Sequence, residues 1–140
     1  MKVDKIIALI KERVGGNSKL PGWKSHRKMS VIPINSITEK AFIPPKDAKQ
    51  ASVSIILFEE NNQLFFLLTK RTDNVEHHKG QVSLPGGAID KNETAQNASL
   101  RETNEEIGID SSTLKSLGQL SSLYTPCLLY TSDAAESVIV

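Results

Sequence analysis

Residues 87–109 read Gly87-Ala-Ile-Asp-Lys-Asn-Glu93-Thr-Ala-Gln-Asn-Ala-Ser-Leu-Arg101-Glu102-Thr-Asn-Glu105-Glu106-Ile-Gly108-Ile109. Thr94 has a hydroxyl suited to accept from the unpaired N–H groups of a first helical turn. Gly108 suits the left-handed residue that closes many helices. Between them lie alanine, leucine, arginine and glutamate, all good helix formers. The stretch therefore predicts a helix from Ala95 to Ile107. At about 100° per residue, Leu100, Thr103 and Ile107 share one face and are expected to meet a core. Glu102, Glu105 and Glu106 are expected on roughly the opposite side, with Ala98 among them one turn earlier.

Side chains three and four positions apart on a helix lie about 5–6 Å apart at Cβ. Two like charges at 6 Å repel by about 3 kcal/mol at an effective dielectric near 20. An unpartnered row of glutamates therefore destabilises its helix or resists ionisation. A hard divalent cation removes the conflict, and magnesium takes oxygen ligands shared with substrate phosphates. A plain solvated helix face carries the same letters, with Arg101 and Glu105 as an ordinary i,i+4 pair. The flanking residues decide between the two readings. Gly87 is followed after five residues by Glu93, and Glu93 after seven by Arg101-Glu102; Glu105-Glu106 and Gly108 complete the spacing.

This pattern resembles the Nudix box, the signature of hydrolases that cut nucleoside diphosphates linked to another group. Every fixed letter is present; Thr103 stands at a usually apolar position. The preceding text, Leu67-Leu68-Thr69-Lys70-Arg71-Thr72 and then His78-Lys79-Gly80-Gln81-Val82-Ser83-Leu84-Pro85-Gly86-Gly87, resembles the coenzyme A diphosphatase branch. It departs from that branch at Thr72, Glu76 and Leu84, where Ser or Ala, Arg and Phe are usual. Leu117-Gly118-Gln119-Leu120 and the Ser-Leu-Tyr-Thr-Pro that follows also resemble it.

The resemblance implies a Nudix-type α/β/α sandwich with a mixed β-sheet. It implies Mg2+ or Mn2+ held by Glu102, Glu105 and Glu106, with Arg101 orienting a glutamate and Glu93 an outer partner rather than a ligand. Glu105 is a candidate general base. Gly86 and Gly87 let a backbone approach the substrate closely, and Lys70 and Arg71 are candidate phosphate contacts. The implied reaction is hydrolysis of coenzyme A or an acyl derivative to phosphopantetheine and adenosine bisphosphate. Two alternatives stand beside it: a Nudix hydrolase of another nucleoside diphosphate derivative such as ADP-ribose, and a Nudix-fold binding module or inactive fragment. Adjacent His77 and His78 point apart in most backbone conformations, so a loop role is expected of them.

The 140 residues suggest one domain, and a net charge of +1 argues against a nucleic-acid partner. Aromatic residues make up only 5%, so a mostly aliphatic core is expected. No apolar run reaches the length of a membrane span, and a cytoplasmic protein with a small-molecule substrate is expected. Residues 1–50 read as an N-terminal extension of the same domain. In it, Ile6, Ile7, Leu9 and Ile10 alternate with charges in an amphipathic helix ending at Gly15-Gly16, rather than a signal peptide. Asn17 to Gln50 is loop-like, with Trp23 as a packing anchor. Residues 51–126 read as the Nudix domain, incomplete at its C-terminus. Strands are expected at Ser52–Phe58, Gln63–Lys70 and Leu114–Leu120, with a turn at Glu60-Asn61-Asn62. Residues 127–140 read as a non-native tail. Cys127-Leu-Leu-Tyr-Thr-Ser-Asp-Ala-Ala135, translated back, reproduces a transposon-end sequencing adapter. It holds the only cysteine, so no disulfide argument stands. The competing reading gives real strands at Leu128–Tyr130 and Val138–Val140.

Overall fold

The structure is a computed structural model that describes residues 3–15, 19–26, 28, 45–70, 80–126 and 132–139. Three α-helices are present among them, α1 (Val3–Val14), the short α2 (Trp23–His26) and α3 (Ala95–Ile107), with a single 3-10 turn at Ser111–Thr113. The strands are β1 (Lys49–Ile55), β2 (Leu57–Glu60), β3 (Gln63–Phe66), β4 (Thr69–Lys70), β5 (Val82–Ser83), β6 (Gly86–Ala88), β7 (Gly118–Gln119), β8 (Leu123–Pro126) and β9 (Ser132–Ile139). The main sheet runs β6-β1-β9-β7, with β8 also pairing β9. It is mixed, as expected: β1 runs antiparallel to β6 but parallel to β9, from Lys49↔Asp133 to Ile55↔Ile139.

The expected boundaries hold best where turn chemistry is explicit. Asn61 and Asn62 both adopt positive φ, 51° and 60°, which suits the two-residue hairpin turn between right-twisted strands. They join β2 to β3, and Phe58 stacks on Phe65 across the hairpin with ring centroids 5.6 Å apart. Longer strand expectations need correction. The run Ser52–Phe58 breaks at Ile56, whose side chain turns into the core with 3% exposure. Gln63–Lys70 divides into β3 and β4, and of Leu114–Leu120 only Gly118 and Gln119 pair as a strand. An apolar run does not reveal where a strand leaves one ladder to join another.

α1 ends as its sequence suggests: Gly15 donates to the Lys11 carbonyl at 2.8 Å. Its C-terminal end sits directly against β7, because a Cβ on Gly118 would lie 2.2 Å from the Val14 carbonyl oxygen. Among the described residues, no helix is long and apolar enough to cross a membrane. The side chain of Trp23, and residues 127–131, lie outside the described residues, and with them the expected anchor and the alternative strand at Leu128–Tyr130. Ser132–Ile139 forms β9 beside β1. It includes Val138 and Ile139 of the alternative strand at Val138–Val140 and begins six residues earlier than that reading; Val140 lies outside the described residues.

The core is aliphatic in part. Ile56 packs with Leu67, Leu100, Ile107 and Leu114. The seam between β1 and α3 is different, because Ser52, Ser54, Ser99, Thr103 and Ala98 are all fully buried there. Small side chains let helix and sheet approach closely. Asn62→Gly should raise stability by about 0.5 kcal/mol, since glycine meets no Cβ penalty at positive φ. A higher urea midpoint with an unchanged slope is the expected reading; a lower midpoint would overturn the turn assignment.

Candidate active site

The predicted helix is present with its predicted caps. Thr94 accepts from the Asn97 N–H at 3.2 Å, and Gly108, at φ 72°, donates to the Asn104 carbonyl. The expected facing needs correction. Ala98 is fully buried, so the glutamates do not lie opposite the core. The buried stripe runs through Ala98, Ser99 and Thr103, and Glu102 and Glu106 sit along its margin where α3 meets β6. Leu100 and Ile107 are only partly buried and pack around Ile56. The apolar stripe misled because the seam is built from small and hydroxylated residues, which carry little hydrophobic signal.

Pro85, Gly86 and Gly87 bring the chain under this margin. Ser54 donates its N–H to the Pro85 carbonyl at 2.8 Å. Gly86 has φ 153°, and a Cβ there would lie 2.2 Å from the Ser52 carbonyl oxygen. Only glycine fits that conformation without strain. Its N–H donates to Glu106 Oε2 at 3.1 Å. A Cβ on Gly87 would lie 2.5 Å from the Glu102 carboxylate carbon, so that carboxylate rests on the Gly87 backbone. Both glycines thus touch the acidic row directly.

Arg101 organises the rest. Its Nε and Nη2 each donate to Glu93 at 3.0 Å, a two-pronged pair. Nη1 donates to Glu102 Oε1 at 2.9 Å and to Glu105 Oε2 at 3.3 Å. Nη2 also donates to the Ala88 carbonyl at 3.0 Å and lies 3.8 Å from Asp90. The expected Arg101–Glu105 pair is present but is the longest of the three glutamate contacts. Glu93 and Glu102 are 15% and 18% exposed, against 57% for Glu105. Hydrogen bonding by Arg101, and then by the Asp90 N–H, holds the Glu93 carboxyl below the usual carboxylate range. The same pairing, with Glu93 first and Glu102 second, raises Arg101 further above its usual value.

Three glutamates are thus set on one helix margin, but they do not converge. Among the described residues, no three His, Cys, Asp or Glu side chains are placed to hold one metal ion. Each carboxylate instead takes a donor of the protein, Arg101 for Glu102 and Glu105 and the Gly86 N–H for Glu106. Glu102 and Glu105 share one guanidinium nitrogen, Arg101 Nη1, while Glu106 is held apart from them by the main chain. Lys70 ends β4, opposite Val82 in β5, and its side chain is exposed. Arg71, His77 and His78 lie outside the described residues. The sequence did not point to the Ala88 carbonyl, Asp90 or Ser54. For Ser54 a signal existed, since Ser52 and Ser54 alternate with Val53 and Ile55 as the unexpected polar members of a buried strand face.

A capped helix bearing Arg101 and its glutamates, laid over a double-glycine turn beside a mixed sheet, defines a Nudix domain. Residues 48–140 match that domain, and the chain belongs to the Nudix family. It is 34% identical over 125 residues to Nudix hydrolase 3 of Caenorhabditis elegans, covering 81% of this chain and 51% of that protein. It is 37% identical over 78 residues to an uncharacterized Nudix hydrolase, NudL, of Klebsiella aerogenes, covering 55% of this chain and 64% of that protein. The chain thus spans about half to two-thirds of the length of these relatives. The fold resembles a MutT/nudix family protein from Enterococcus faecalis at a TM-score of 0.57, with 21% identity over 95% of this chain and 48% of that one.

The Glu93 tie has a pH signature. A depressed folded pKa contributes stability that is present above the unfolded value, 4.5, and is lost as pH falls through the lower folded value. Glu93→Gln should therefore be less stable than the parent at neutral pH, and the gap should close below pH 4.5. Urea midpoints across that range check this; a gap that stays constant with pH would remove the ion pair as its cause.

Proposed function

We propose that this chain carries the active site of a divalent-metal-dependent hydrolase that cleaves the diphosphate of coenzyme A or its acyl derivatives. The products are phosphopantetheine and adenosine bisphosphate. The observation that carries the reading is the pairing of Glu106 and Glu102 with the backbones of Gly86 and Gly87. It sets an acidic row directly against a turn whose two glycines bring the main chain up to the carboxylates.

The donor set fits a hard cation. Glu102, Glu105 and Glu106 offer only carboxylate oxygens, and each keeps one oxygen free of hydrogen bonds among the described residues. Oxygen-only donors suit Mg2+ or Mn2+. When bound, such an ion neutralises phosphate charge and lowers the pKa of a coordinated water. The chain's own residues do the positioning. Arg101 fixes the Glu102 and Glu105 carboxylates by charge-assisted bonds, and Glu93 holds Arg101 in turn. Glu105, more exposed than Glu93 or Glu102, is our candidate to accept a proton from the attacking water. Lys70 and Arg71 are assigned to the substrate phosphates.

The Leu67–Thr72 and His78–Gly87 text supports coenzyme A as the substrate. The departures at Thr72, Glu76 and Leu84 favour a second reading, hydrolysis of another nucleoside diphosphate derivative such as ADP-ribose. Residues 127–140 we read as foreign to the gene, and resequencing the source DNA across codon 127 tests this directly.

The assay uses the full reading frame from that resequenced DNA, with coenzyme A and ADP-ribose as substrates and Mg2+ or Mn2+ added. Turnover of coenzyme A should dominate, and Glu106→Gln should lower kcat by at least about 100-fold with the fold retained. Preference for ADP-ribose would select the second reading. Near-parental turnover in Glu106→Gln would remove the ligand assignment, and no turnover of either substrate would leave a binding module.

A further inference from the structure

The seam between β1 and α3 contains a buried polar chain that the proposed chemistry does not use. Thr103 Oγ1 donates to Ser54 Oγ at 3.1 Å, and Ser54 Oγ donates to the Ser99 carbonyl at 3.2 Å. Ser54, Ser99 and Thr103 are all fully buried. Ser99 is four residues before Thr103, so its carbonyl also lies at the acceptor position of the helical bond from the Thr103 N–H. One strand residue is thus tied to a single helical turn at two points. The same residue holds the substrate-side loop, because the Ser54 N–H donates to the Pro85 carbonyl at 2.8 Å. The same peptide unit carries, on its other side, the Gly86 N–H that holds Glu106.

We propose that Ser54 and Thr103 are positioning residues that set the gap between the Gly86–Gly87 turn and α3. They thereby set where the Glu102 and Glu106 carboxylates stand. The proposal rests on the catalytic reading of those glutamates. Ser54 fixes the loop through its main chain and the helix through its side chain, so it closes a circuit that runs Ser54, Pro85–Gly86, Glu106, Thr103 and back. Valine at position 103 would satisfy the apolar preference of the Nudix pattern with the same shape. It would pack equally well but leave the strand tied to the helix by one bond instead of two.

The chemistry of the seam makes the test selective. In Ser54→Ala, the Thr103 hydroxyl can turn to the Ser99 carbonyl, a local bond open to threonine in helices. No buried donor is stranded, yet the link to β1 is lost. In Thr103→Val, Ser54 keeps its bond to Ser99, so the effect should be smaller. Thr103→Ser keeps the hydroxyl and should behave as the parent.

The experiment reads the Gly86 amide proton by NMR in the full chain, with Glu106→Ala marking the shift of the broken bond. Ser54→Ala and Thr103→Val should move Gly86 toward that mark, in that order of size, while Thr103→Ser stays at the parental shift. The Gly108 amide at the helix cap should hold its place throughout. In turnover, kcat should fall about 10- to 100-fold in Ser54→Ala with KM little changed. A parental Gly86 shift in both Ser54→Ala and Thr103→Val would overturn the proposal. So would equal displacement of Gly86 and Gly108, which marks a general loosening. If the parent hydrolyses no diphosphate while Gly86 responds as described, the catalytic reading fails and the hydroxyl tie stands. Should Ser54→Ala not fold, the Thr103 pair decides alone.

Discussion

The guanidinium of Arg101 is the constraint on which the site depends. A planar fork with five N–H donors can satisfy several carboxylates at fixed angles, which a lysine ammonium cannot do. Here it grips Glu93 with two parallel bonds, reaches Glu102 and Glu105 with the third nitrogen, and anchors to the Ala88 carbonyl. The last contact matters because it is main chain. It ties α3 to the end of β6, so the acidic row is located relative to the sheet and not only along its own helix. The pairing also answers the electrostatic objection raised by the sequence, since each of these carboxylates sits beside positive charge.

A second requirement is closeness. Coulombic ties of this length need the helix margin within reach of the Gly86–Gly87 backbone, and bulky aliphatic packing would hold the two apart. The seam is instead lined with Ser52, Ser54, Ala98, Ser99 and Thr103. Burying hydroxyls carries a desolvation cost that hydrogen bonds must offset, and the chain Thr103–Ser54–Ser99 supplies those bonds. The Ser52 hydroxyl has no partner among the described residues. The larger aliphatic residues are displaced to one side, around Ile56, where they hold α3 down without widening the seam.

How much of this was legible depended on whether the deciding interaction was local. The helix from Ala95 to Ile107, its Thr94 and Gly108 caps and the Asn61-Asn62 turn are governed by neighbours in the chain, and each stands where the letters placed it. The parallel pairing of β1 with β9 and the break at Ile56 are long-range, and periodicity alone does not encode them. The facing of the helix was misjudged for a related reason: Ala98 and Ser99 are buried by the sheet they meet, not by their own hydropathy. Gly87, Glu93, Arg101 and the three glutamates were singled out by spacing, and the structure brings them to the α3–β6 margin. Ser54, 48 residues before Glu102 in the sequence, left only a faint alternation of serines in an apolar run.

The bond from the Gly86 N–H to Glu106 places half of a key contact on the main chain. Every residue but proline carries that donor, so a point mutation at position 86 can rarely delete the group itself. What mutation can change is the room around it, through a Cβ pressed against the Ser52 carbonyl. The site's vulnerability at this point is therefore one of shape rather than of chemistry. Variation in a population should show glycine held at position 86 by steric exclusion, while the carboxylate partner across the gap is held by its charge.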